Sequence, residues 1–190
     1  MRHSIGAAVL SIWAGCNGAT SQCDLSSEAG IAAAFKKATG KELSKEDRCS
    51  KPSTTFPGLV RVGMFANDRG CIGQGILVGC QIDPPGYEAA AMAKAGWATA
   101  NLAARQNLAV AWITEIDDLQ IIQTKPEKFP KEFSPVSAKA EGNTVVIEFW
   151  TVDPAGMEPV QVFRKHKVVF GADGRAGQSS ETDRVDVRGG

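Results

Sequence analysis

Apolar and polar positions alternate most regularly between Val136 and Phe170. Within Thr144–Val152, Val145, Ile147 and Phe149 fall on every second position, in a stretch rich in β-branched and aromatic residues. That period predicts a strand with one buried face. Ser137–Ala140 precedes it across Glu141-Gly142-Asn143, and Val160–Phe170 follows across Asp153-Pro154-Ala155-Gly156. Proline presets the turn and glycine tolerates positive φ, so the three segments read as an antiparallel meander. Upstream, Leu59–Ala66 and Cys71–Cys80 flank Asn67-Asp68-Arg69-Gly70 and read as a hairpin. Gly73, Gly75 and Gly79 leave one side of its second strand nearly bare, a mark of a bulge or of close approach by another element.

Helical spacing appears in two places. Ile31, Ala34, Phe35 and Ala38 form one stripe behind the cap chemistry of Asp24–Ser27, and Gly40 suits the stop. Asp83-Pro84-Pro85-Gly86 opens what reads as one long helix, Tyr87–Gln106. Its small-residue stripe of Ala91, Ala95, Ala98 and Leu102 is expected to pack on the Val145/Ile147/Phe149 face. Beyond it, Leu108, Val110 and Trp112 alternate with small residues, so Leu108–Gln123 is expected as a strand. Thr124–Pro135, with three prolines, reads as a crossing loop. One long helix followed by a four-strand antiparallel run resembles the order of cystatin-like and NTF2-like α+β folds, although the cystatin signature Gln-x-Val-x-Gly is not present. The fold class is therefore α+β: a long helix on a four-strand meander, with an N-terminal helix and hairpin tied by disulfides. A single domain is expected over 25–175. The Gly-, Ser- and charge-rich residues 176–190 read as a flexible tail in which Arg184–Arg188 offers one edge strand.

The N-terminus carries an address. Arg2 precedes the apolar run Ile5–Ala14, and small polar residues follow at Asn17–Ser21. This is the layout of a secretory signal over 1–15, too short to span a bilayer, which takes about 20 apolar residues. Ala14-Gly15-Cys16 resembles the lipobox of bacterial lipoproteins, with Trp13 departing from the aliphatic residue that family prefers. The resemblance implies lipidation of Cys16, a tether over 16–24, and a membrane-anchored protein of the periplasm or cell surface, with plain secretion as the alternative. Of the 5 cysteines, removing Cys16 leaves Cys23, Cys49, Cys71 and Cys80, enough for two disulfides. An extended Cys71–Cys80 strand would hold those two apart, so each is expected to reach Cys23 or Cys49.

Charge and chemistry narrow the function further. Lys plus Arg and Asp plus Glu number 21 each, so no nucleic-acid partner is expected. Two histidines, of which His3 leaves with the signal, exclude a histidine-rich zinc site, and no C-x-x-C pair is present. Gly73-Gln74-Gly75 lacks the following helix that a dinucleotide loop needs, so no cofactor is expected. His166 lies between cations in Arg164-Lys165-His166-Lys167 and reads as a strand histidine. That cluster reads as a solvated edge, or as a contact for an anionic headgroup or acidic partner. Trp97, Trp112 and Trp150 read as core. No catalytic residue is assigned. The expectation is an exported, lipid-anchored protein that binds a protein or small ligand in the cell envelope. A secreted hydrolase pairing Glu115 with Glu148 is the alternative.

Overall fold

The computed structural model describes residues 23–43, 50–67, 70–127, 129, 132–153 and 160–188. Two four-stranded antiparallel sheets dominate the fold, each a simple meander. The first comprises β1 (Ser50–Pro52), β2 (Leu59–Asn67), β3 (Gly70–Val78) and β4 (Gln81–Ile82). The second comprises β5 (Ser137–Glu141), β6 (Thr144–Asp153), β7 (Val160–Phe170) and β8 (Ser180–Arg188). The expected hairpin is β2–β3, and the expected meander is β5–β7. Its fourth strand is β8, from the segment expected as a tail. The charged β8 edge pairs with β7 from Val160↔Arg188 to Lys167↔Ser180.

The expected long helix is not found. Helix α2 (Tyr87–Lys94) ends before Gly96, which sits in the left-handed region at φ 87°, and a short 3₁₀ turn, Trp97–Thr99, follows. Asn101 then starts α3 (Leu102–Ala111) by accepting a hydrogen bond from the Ala104 amide at 2.9 Å. Arg105 bridges the break, donating to the carbonyls of Trp97 and Ala98. Ala91 and Ala95 pack against the main core, whereas Ala98 and Leu102, the rest of the expected stripe, are exposed. The expected strand Leu108–Gln123 is a second correction. Alternation at 108, 110 and 112 concealed a helical stripe, since Ala109, Trp112, Ile113 and Ile116 stand at i, i+3, i+4 and i+7 and are all buried. The helix continues into a π turn, Trp112–Ile116, in which the Asp117 amide reaches the Trp112 carbonyl at 3.2 Å.

These segments fill the main core between the sheets. Trp97, Trp112, Ile113 and Met92 meet Val145, Ile147, Phe149, Val168 and Phe170 from the second sheet and Leu59 and Ile76 from the first. Helix α1 (Glu28–Thr39), capped by Ser27 and stopped at Gly40, covers the opposite face of the first sheet through Ile31, Ala34 and Phe35. The described residues of the crossing loop form no helix or strand. Its Phe129 plugs the outer face of the second sheet against Trp150 and Phe163.

Cys23 and Cys80 form a disulfide that ties the segment before α1 to the turn after β3. Cys16 and Cys49 lie outside the described residues. Cys71 lies on β3, opposite Ala66. No helix among the described residues is long and apolar enough to cross a membrane.

Candidate functional site

The inner face of the second sheet is set by strand parity. Val145 pairs with Phe170, Ile147 with Val168, Phe149 with His166 and Thr151 with Arg164. The same face thus begins as core and ends polar. The chain leaving the π turn passes over that polar end, where Ile121 bridges to Thr151. Between them lies a cleft of about 670 Å³, walled by Leu119, Ile121 and Gln120 on one side and Thr151, Arg164 and His166 on the other. Its size and its few converging polar groups on apolar walls are those of a small-ligand site.

His166 is the pivot. Its Nε2 is 2.9 Å from Thr151 Oγ1, its Nδ1 is 3.3 Å from Ser179 Oγ, and its ring stacks on Phe149. Burial lowers the imidazole pKa most; Glu181 opposes this, and Arg164 adds to it. The result is a neutral ring at pH 7. Thr151 is only 5% exposed. Arg164 Nη1 donates to Glu181 Oε2 at 2.7 Å.

The opposite wall is anchored in two ways. Asp118 adopts a left-handed backbone at φ 57°, unusual for a residue other than glycine, and forms an ion pair with the mostly buried Arg61 of β2. Glu115, on the π turn, accepts from Ser53 Oγ at 2.5 Å, Thr55 Oγ1 at 2.7 Å, Thr54 Oγ1 and N at 2.9 Å, and Thr55 N at 3.1 Å. Burial raises its pKa, but the hydrogen bonds from Ser53, Thr55 and Thr54 outweigh that and hold it at about 2. A π turn and a strained backbone beside a cleft are features concentrated at functional sites.

The carboxylates considered for hydrolysis are thus differently employed. Glu115 is a fixed anion, unfit as a general acid at neutral pH, and Glu148 pairs with Lys165 at 2.9 Å on β7. Trp97, Trp112 and Trp150 are 1%, 2% and 3% exposed, so they are core rather than a sugar-stacking face. The basic cluster is divided, with Lys165 engaged by Glu148 and Arg164 turned into the cleft. A second hollow, lined by Cys23–Ser26, Gly58 and Gly79, carries one ionisable side chain, Asp24, which accepts from Ser26 and Ser27. Among the described residues no cluster of His, Cys, Asp or Glu could hold a metal ion, and only Leu102 and Val169 are exposed large hydrophobics. His166 and Arg164 were visible in the sequence as a basic cluster. Their shared parity with Val168 and Phe170 was the signal that they continue an inward face. Compared with protein-family models, curated proteins and solved structures, the chain matches none.

Proposed function

We propose that this is an exported binding protein of the cell envelope, anchored through a lipid on Cys16, which holds a small ligand in the cleft beneath residues 118–121. The single observation that carries the binding role is the polar end of an otherwise apolar sheet face, Thr151, Arg164 and His166, roofed into a cleft of about 670 Å³. The scarcity of exposed large hydrophobics among the described residues favours a small ligand over a protein docked on an apolar patch. The ligand has an apolar body, for Leu119 and Ile121, and a hydrogen-bonding edge, for Thr151 and His166. The signal-like run Ile5–Ala14, the lipobox-like Ala14-Gly15-Cys16 and the Cys23–Cys80 disulfide support export, since disulfides persist in oxidising compartments. Saturation-transfer NMR with a library of small amphiphiles tests the binding role. Hits are expected for the wild type and are lost when Leu119→Trp fills the cleft; hits indifferent to that substitution would place binding elsewhere. Palmitate labelling that is lost in Cys16→Ser tests the anchor.

A further inference from the structure

We propose that Thr151 and His166 form a nucleophile–base pair, and that the cleft hydrolyses esters of small apolar acids. This activity rests on the cleft being the ligand site. Thr151 Oγ1 is 2.9 Å from His166 Nε2, within the reach a nucleophile must have to its base. Ser179 Oγ, 3.3 Å from Nδ1, can accept from Nδ1–H, which leaves Nε2 as the acceptor a general base requires. Two strand positions, Thr151 and His166, and Ser179 just before β8 thus reproduce the order nucleophile, base, orienting group, with hydroxyls at both ends. The threonine is buried at the cleft wall rather than on the surface, and the imidazole is kept neutral by that burial. A hydroxyl stabilises the imidazolium less than a carboxylate would, and Glu181 on β8 is engaged by Arg164. The reaction is therefore slow, and activated esters suit it best.

Thr151 Oγ attacks the ester carbonyl carbon as its proton passes to His166 Nε2. The carbonyl π pair moves to oxygen, where the N–H donors lining the cleft, Gln120 and Arg164, can meet the oxyanion. Collapse breaks the bond to the alcohol, which leaves with the proton from Nε2. Water then gives a proton to Nε2 and attacks the acyl-Thr151 ester. The bond to Oγ breaks, Oγ recovers the proton, and the acid departs. The net reaction is ester plus water to acid plus alcohol. Leu119 and Ile121 supply apolar walls for the acyl chain. Ser179 is a positioning residue.

The test uses p-nitrophenyl butyrate and the full chain, with nitrophenolate release and peptide mapping of the quenched protein. A butyryl adduct is expected on Thr151, retained in Thr151→Ser and absent in Thr151→Val. His166→Asn lowers the rate by roughly 100-fold or more, the scale of general-base catalysis. Ser179→Ala keeps the adduct but displaces the pH–rate profile, which a purely structural serine would leave in place. An adduct on another residue, or turnover that survives Thr151→Val, overturns the proposal. The ketone isostere of the ester separates the two layers. If the ketone binds at His166 and no adduct forms, the hydrolytic proposal fails and the ligand cleft stands. If it does not bind, both fail.

Discussion

Glu115→Gln isolates the contact that joins the π turn to the first sheet. The native carboxylate takes hydrogen bonds from Ser53, Thr54 and Thr55, about 60 residues away in sequence, and its pKa falls from 4.5 to about 2 despite burial. At about 1.36 kcal/mol for each tenfold change in proton affinity, this corresponds to about 3 kcal/mol. Glu115 is partly exposed, and solvent screening reduces the expected contribution to about 2 kcal/mol. Glutamine conserves shape but turns an NH₂ group toward donors. Because the folded pKa is depressed, the stabilisation is fully present above about 4.5 and is lost as pH falls through about 2. Urea unfolding followed by tryptophan fluorescence should show a deficit of about 2 kcal/mol at pH 7 that shrinks steadily below pH 4.5. A variant within about 0.5 kcal/mol of wild type, the range of ordinary surface changes, would refute the latch. So would a deficit that does not change with pH.

Gly174 is buried at φ 82°, and a Cβ there would stand 2.6 Å from Met92 Cβ and 3.0 Å from Trp97 Cγ. Gly174→Ala should cost about 3 kcal/mol and lower Tm by several degrees. An unchanged Tm would contradict the packing of the α2–3₁₀ segment. Burial, with the Glu88 charge, raises the Asp117 carboxyl to about 6. Folding is then favoured at low pH, and this advantage is lost as pH rises through about 6. The residue's exposed surface reduces the effect, so Asp117→Asn should stabilise by about 1 kcal/mol at pH 7 and by little at pH 4, measured by urea titration at both. Thiol labelling of the unreduced, denatured chain should spare Cys23 and Cys80, and modification of either would contradict their disulfide.

Local chemistry made much of the fold legible. The Ser27 cap, the Gly40 stop, the β2–β3 hairpin and the β5–β7 meander each follow from a short pattern read with the right period. Segment 87–116 was misread because alanine serves helix and close-packed turn alike. Gly96 breaks the helix through a left-handed φ that an alanine-rich stripe does not announce. Trp112 fits both an alternating and a helical reading, and only the additional burial of Ala109, Ile113 and Ile116 decides between them. The cleft was half visible. The alternation of β7 puts His166 and Arg164 on the face of Val168 and Phe170, but their partners Thr151 and Ser179 lie on other segments, and tertiary pairing alone brings them together. Glu115 was noticed as a carboxylate; its partners, three hydroxyl residues in a loop far away in sequence, were not.

The central claim, that the cleft around His166 is the binding site, is tested most directly by long-range ¹H–¹⁵N NMR of the imidazole. The expected result is a neutral ring at pH 7, protonated on Nδ1, whose Nε2 resonance moves in wild type when a cleft ligand is added and does not move in Leu119→Trp. A ring protonated at pH 7, or a ligand that binds while leaving both His166 nitrogens unshifted, would contradict it.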